Sequence, residues 1–227
     1  MKTLIIIPAY NEGKNIERVV SNIKENCPRY DYLVVNDGSR DDTEALCVKN
    51  GYHFVSHPVN LGLAAAVQTG MLYAYHNGYD AAIQFDGDGQ HDPRFIEKMT
   101  AEIENGNNIV IGSRFVDEKK PKSLRMLGSN LIQLAIKITT GKTLKDPTSG
   151  MRMFDKKMIK KLALAADLGP EPDTVALLVR GGAKFSEIQV EMHDRVAGES
   201  YLNLSNSINY MMRMFVSILI LQWLRKG

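Results

Sequence analysis

The stretch AAIQFDGDGQHDP, residues 81–93, joins a short apolar run to three carboxylates, an amide and an imidazole within seven residues. Carboxylates this close repel one another, so the cluster needs a turn, a solvent face or a cation. The apolar run before it is one of five: TLIIIP, YLVVND, HFVSH, AAIQFD and NIVIGS. They are mostly continuous rather than alternating, which suits parallel strands covered on both faces. Amphipathic segments near residues 12–26, 41–50, 61–77 and 93–105 lie between them. This alternation predicts right-handed βαβ units and an α/β fold, a Rossmann-like, mostly parallel sheet flanked by helices. Ligands of such sheets sit beyond the carboxyl ends of the strands. The chemistry-bearing residues fall there: PAYNE after the first strand, NDGS after the second and DGD after the fourth.

With 227 residues, 44% of them hydrophobic and 24% charged, the chain is long enough to bury a sizeable core and reads as globular. Cys27 and Cys47 have no metal-ligand spacing and make no disulfide framework, which points to a reducing, intracellular setting. Charges at Glu12, Lys14, Glu17 and Arg18 argue against a secretory leader. Net charge is −7 over residues 1–118, +10 over 119–161 and −1 beyond, returning the overall +2. The basic middle is either a solvated face or a surface for phosphate or anionic lipid. It lacks interleaved aromatics and any binding motif for nucleic acid. Within it, DEKKPKS reads as a mobile loop, a helix is expected near 125–139, and LKDPTSGMRMF reads as a turn into a short strand. KFSEIQVEM reads as a further strand.

DGDGQHD is not an EF-hand loop, although Asp86, Asp88, Gln90, Asp92 and Glu97 fall in its register. The sixth position must be Gly and is His91, and a strand rather than a helix precedes it. A strand-end metal motif remains. Asp86 and Asp88 can address one ion if the strand breaks at Gly87, and Gln90 can add a neutral oxygen. Mg²⁺ or Mn²⁺ suits such a set, because hard cations take few carboxylates plus substrate phosphates.

In this order, PAYNE, VNDGSRDDT, NLGLAAAVQTG, FDGDGQHDP, GSRF and DRVAGES resemble glycosyltransferase family 2. Within that family the likeness is to polyprenyl-phosphate glycosyltransferases of the dolichyl-phosphate mannose synthase type, over roughly residues 3–200. The resemblance implies a GT-A fold, a UDP- or GDP-linked sugar donor and a divalent metal. Pro8, Ala9, Tyr10, Asn11 and Glu12 would line the nucleotide pocket, Asp37 would accept from the base, and Gly62 would let backbone approach the nucleotide. Alone, Asp37-Gly38-Ser39 would read as an ordinary turn. Asp86, Gly87 and Asp88 would meet the donor, with Asp86, Asp88 and Gln90 holding the metal.

On the acceptor side the resemblance points to Arg114, Arg125, Ser129, Arg195 and Ser200 for a lipid phosphate. Arg125 and Ser129 are i and i+4, on one helix face. A phosphate acceptor is already an anion, so catalysis can rest on positioning and on cations. Asp88, Arg114 and Arg195 are the candidate catalytic groups. Family members usually carry Lys or Arg soon after the last serine; here Tyr201 follows. GPEPDTV, residues 169–175, lies where relatives with hydroxyl acceptors place a base, which makes Asp173 or Glu171 a candidate. Alternatively, EPDT caps the helix VALLVR.

Residues 1–200 are expected to form the GT-A domain and 201–227 an amphipathic helix. The uncharged run 214–224 is too short to span a bilayer. With Arg213 before it and Trp223, Arg225 and Lys226 at its end, it suits the membrane interface, a small membrane protein partner, or a homo-oligomer contact. The expected enzyme is peripheral at the cytoplasmic, inner face of a membrane. It transfers a sugar from a nucleotide-diphospho donor to a polyprenyl phosphate with inversion. The rival readings are transfer to a saccharide hydroxyl and a non-catalytic nucleotide-sugar-binding subunit. A dehydrogenase is unsupported, because no G-x-G-x-x-G follows the first strand.

Overall fold

A computed structural model describes residues 1–165, 168–192 and 204–220, without the side chains of 124, 125 and 204–208. The strands are β1 (Thr3–Ala9), β2 (Asp31–Asn36), β3 (Phe54–Ser56), β4 (Ala81–Gln84), β5 (Ile109–Ser113), β6 (Arg152–Asp155) and β7 (Phe185–Gln189). The helices are α1 (Ile16–Asn26), α2 (Thr43–Lys49), α3 (Leu63–His76), α4 (Ile96–Glu104), α5 (Leu124–Thr140), α6 (Lys156–Leu164), α7 (Pro172–Arg180) and α8 (Leu204–Leu219). A single 3₁₀ turn over Pro93–Phe95 leads into α4.

The seven strands form one sheet in the order β3-β2-β1-β4-β6-β5-β7. β1, β2, β3 and β4 pair in parallel, as do β5 and β7, whereas β6 runs antiparallel between β4 and β5. The continuous apolar runs have a simple cause: both faces of the sheet are covered. Along β1, Leu4 and Ile6 enter one core with α3, α5, α6, α7 and α8. Ile5 and Ile7 enter the other, with α1, α4 and residues of α2. Side chains alternate across a strand, so a run buried on both faces is apolar except at its ends, where Thr3, Asn36, Gln84 and Ser113 lie.

Close approach sets how α3 lies on the sheet. A Cβ built on Gly70 would stand 2.3 Å from Ile6 Cγ2, so the helix rests directly on β1 there. The inner face of α8, Met214 and Ile218, joins the same core as α5 and α7. The C-terminal helix therefore shares the core of the sheet domain. Among the described residues, no helix is long and apolar enough to cross a membrane.

Candidate active site

The carboxyl ends of β1, β2, β4 and β5 open on one edge of the sheet, and the loops there are tied to one another. Asp37 N donates to Ala9 O at 2.8 Å. The peptide N–H of Asn11 donates to Ser39 Oγ, and its side-chain oxygen accepts from Arg40 N at 2.8 Å. Asn11 itself has φ 56°, a left-handed conformation that Asn tolerates. Glu12 N donates to Thr43 Oγ1 at 2.9 Å. The PAYNE residues and the β2 loop thus form one rigid wall. Pro8 and Ala9 are buried in it, while Tyr10 and Glu12 are half-buried and Asn11 is exposed.

Asp37 is 2% exposed and makes a clamp. Its Oδ1 accepts from Leu61 N at 2.9 Å and from His57 Nδ1 at 2.8 Å, and Oδ2 accepts from Gly62 N at 2.7 Å. His57 Nε2 meets Thr69 Oγ1 at 2.8 Å, which ties the clamp to α3. The carboxylate expected to face the base therefore spends three of its acceptor positions on the loop 57–62. Gly38 (φ 63°) lets that loop close, since a Cβ there would lie 2.4 Å from the carbonyl carbon of Val59. Gly62 has φ 91° and open space around it, so conformation rather than crowding requires glycine at that point.

The chain breaks from strand after Gln84. Asp86 is partly open, with 32% of its side chain exposed, whereas Asp88 is 6% exposed. Asp86 Oδ1 accepts from Gln84 Nε2 at 3.0 Å, and Asp88 Oδ1 accepts from Gln90 N at 3.0 Å. His91 is buried and edge-on to Phe85. Its Nδ1 accepts the peptide N–H of Asp86 at 3.1 Å. Its Nε2 therefore carries the proton, has no hydrogen-bond partner among the described residues and lies 3.6 Å from Asp86 Oδ2. A protonated nitrogen cannot ligate a metal, so His91 orients Asp86 instead. Two carboxylates and the Gln90 amide oxygen are a hard donor set that fits a divalent cation in part. No three His, Cys, Asp or Glu side chains converge among the described residues. The remaining positions around such an ion fall to substrate oxygens and water.

Beyond β5 lies a cationic corner. Arg114 Nε and Nη2 donate to Asp146 Oδ2 and Oδ1 at 2.7 and 2.8 Å, a bidentate pair, and Nη2 also reaches Thr148 Oγ1. Asp146 is fully buried, and burial alone would raise its pKa. The hydrogen bonds and charge of Arg114 outweigh that and hold the carboxyl below its ordinary value. Lys120 Nζ donates to Ser129 Oγ, Asn130 Oδ1 and Gln133 Oε1 at 3.0–3.3 Å, all on α5. Burial pulls the pKa of this ammonium down. Gly150 links the two halves of the site: a Cβ on it would stand 2.6 Å from Asp86 Oδ2, four residues after Asp146. Four residues span at most about 14 Å, so the Arg114 pair lies near the Asp86 carboxylate. Arg152 fastens this segment from below. It is buried, and its guanidinium donates to the carbonyls of Pro147 and Pro170.

Asp173 does not face this corner. It is 2% exposed, its Oδ1 accepts from Thr174 N, and its Oδ2 accepts from Ser217 Oγ of α8 at 2.6 Å. The candidate base is thus turned into the α7–α8 interface. Nor does it cap α7; Glu171 occupies that position and pairs with Arg213. Arg195, Ser200 and the side chain of Arg125 lie outside the described residues, as do Tyr201, Trp223, Arg225 and Lys226. Sequence reasoning missed Lys120, Asp146 and His91. Asp146 had a signal, an acid isolated in a strongly basic segment. Lys120 had none, being one of several lysines in its loop.

A mostly parallel sheet with one antiparallel insertion, tied loops at its carboxyl edge and an acidic strand end make a GT-A fold. A family model described as glycosyl transferase family 2 matches residues 4–163. The chain belongs to that family and is a glycosyltransferase. It is 27% identical over 218 residues to polyprenol monophosphomannose synthase of Mycolicibacterium smegmatis, covering 90% of this chain and 82% of that one. It is 33% identical over 181 residues to a UDP-N-acetylglucosamine–dolichyl-phosphate N-acetylglucosaminyltransferase of Methanococcus voltae, covering 70% and 71%. Among solved structures, glucosyl-3-phosphoglycerate synthase from Mycobacterium tuberculosis in complex with Mn²⁺, UDP and phosphoglyceric acid superposes with a TM-score of 0.72. That match has 16% identity and covers 97% of this chain and 78% of that one, a likeness of fold.

Proposed function

We propose that this chain transfers one sugar from a nucleotide-diphospho donor to a polyprenyl phosphate at a membrane surface, inverting the anomeric centre. The observation that carries the reading is the cationic corner beyond β5. Asp146 fixes the Nε and Nη2 side of the Arg114 fork, and Lys120 brings an ammonium to Ser129, Asn130 and Gln133 with no carboxylate partner among the described residues. Cations oriented by neutral oxygens and one buried acid make a cradle for an anion. The names of the relatives supply the anion's class.

A lipid phosphate needs no base. Arg114 and Lys120 would hold it, with buried Ser129 orienting the Lys120 ammonium and Arg125, Arg195 and Ser200 as further contacts, so that one oxygen is aimed at the sugar. The PAYNE wall and the clamped 57–62 loop would seat the nucleoside, leaving Asp37 one free lone-pair direction on Oδ2. Asp86, Asp88 and Gln90 would hold Mg²⁺ or Mn²⁺, which when bound supplies charge neutralisation to the departing diphosphate. His91 keeps Asp86 aimed at that position.

The test is product formation from a panel of UDP- and GDP-sugars, with either metal and a short polyprenyl phosphate. A glycolipid from one donor, reduced at least about 100-fold by Asp88→Asn, is the expected result. Donor hydrolysis without glycolipid would overturn the acceptor assignment.

A further inference from the structure

Two helices turn apolar side chains outward. On α5, Leu127, Leu131, Leu134 and Ile138 are between 42% and 67% exposed. Their spacings of four, three and four residues make one stripe about 16 Å long. On α8, Met212 and Val216 are 54% and 42% exposed, and Ile220 just beyond it is 59% exposed. The opposite faces of both helices enter one core, through Ile132, Ala135 and Ile136 on α5 and Met214 and Ile218 on α8. The helices touch where Met211 lies over Gly128. Their outer faces are therefore neighbours. Single exposed apolar residues are ordinary, but a two-helix patch of seven marks an interaction surface.

The charges around it choose the partner. Lys119 and Lys122 stand before α5, and Lys137 and Lys142 stand at its far end, all exposed. Asp117 and Glu118 are the acids of the same loop, fewer than the lysines around the stripe. An apolar stripe bracketed by ammonium groups matches a bilayer with anionic headgroups, where the stripe enters the acyl boundary and the lysines meet phosphate. A second copy of the chain on the same patch would set lysine against lysine.

We propose that the outer faces of α5 and α8 together are the surface by which the chain sits on an anionic bilayer. This rests on the lipid-phosphate reading above and deepens it. Ser129 is fully buried and lies on the side of α5 opposite the stripe. Lys120, which meets Ser129, Asn130 and Gln133 there, would thus engage the acceptor phosphate about one helix diameter, ~10 Å, above the inserted side chains. The lipid headgroup leaves the bilayer plane to react while its chain stays in place.

The experiment is flotation of the full chain with vesicles of mixed phosphatidylcholine and phosphatidylglycerol, and with phosphatidylcholine alone. Wild type is expected to float with the anionic vesicles. Leu131→Asp combined with Ile138→Asp is expected to lower the partition coefficient about 100-fold. Met212→Asp combined with Val216→Asp is expected to act in the same direction. Both pairs should leave thermal unfolding, and transfer to detergent-dispersed acceptor, unchanged. Unchanged partition in both pairs, or binding indifferent to phosphatidylglycerol, overturns the proposal. A wild-type dimer that the substitutions dissociate without touching vesicle binding overturns it in favour of a second copy. Vesicle binding that persists while no donor yields glycolipid in detergent sinks the acceptor reading instead and leaves the surface standing.

Discussion

At the scale of single residues, the acceptor side turns on how cations are held. Lys120 faces three neutral oxygens, and no carboxylate among the described residues fixes it in place. If it holds the acceptor phosphate, Lys120→Met should raise the KM for polyprenyl phosphate about 10- to 100-fold, the value of one charge-assisted hydrogen bond. The KM for the donor should stay put, and steady-state kinetics with each substrate varied in turn would show it. Asp146 makes a different kind of prediction. A carboxyl depressed on folding stabilises the fold above its unfolded value of 3.8 and loses that contribution as pH falls through the lower folded value. Asp146→Asn should therefore cost about 2 kcal/mol near pH 7, and the gap to wild type should shrink near pH 3. Urea unfolding at the two pH values checks the sign. These residues also mark where sequence reasoning stops. Asp86 and Asp88 were legible because their chemistry is local, two residues apart at a strand end. The Arg114–Asp146 pair is not local, and nothing in GSRF or KDPTSG states that one will grip the other.

At the scale of elements, β1, β2, β4 and β5 were readable because a strand buried on both faces is a continuous apolar run with polar residues only near its ends. The helices between them were readable from their apolar spacing, with ends within a few residues. Two features were not readable. α6 lies in the lysine-rich middle, where KKMIKKLAL looks like a charged surface; its apolar positions Met158, Ile159 and Leu162 nonetheless enter the core. The antiparallel insertion of β6 between β4 and β5 depends on tertiary pairing, which RMFD alone cannot encode. The contact of α3 with β1 at Gly70 yields a test at this scale. Alanine there would gain up to about 1 kcal/mol of helix propensity. It would also drive a methyl into fully buried Ile6, at a cost of about 1–3 kcal/mol. Ile6 has no free space to move into, so the packing cost should win. Gly70→Ala is expected to lower the urea midpoint.

At the scale of the whole molecule, the C-terminal helix is tied to the sheet domain by a buried polar contact as well as by packing. Ser217→Ala leaves Asp173 Oδ2 without its α8 donor and should cost about 1–2 kcal/mol. Hydrogen exchange should show the loss first as faster opening of α8, with β1 and β4 still protected. An equal effect on all strands would mean that α8 is no separate cooperative unit. The sequence suggested a boundary at residue 200 because the family-like motifs end there with DRVAGES, but motifs do not report that Met214 and Ile218 share a core with Ile132 and Ile136.

The placement of β6 also sets an order of events. Its register joins Gln84 to Arg152, so the middle of the sheet cannot zip until a loop of nearly seventy residues has closed. Local pairings such as β1 with β2 carry a smaller entropic cost of closure and can come first. This ladder, which brings Gly150 up to Asp86 and Asp146 within reach of Arg114, therefore forms after the β1–β2 pair. A nascent or partly refolded chain would then hold the tied β1 and β2 loops without the Arg114–Asp146 corner. In pulse-labelling during refolding, amides of β1 and β2 should be protected before those of β6.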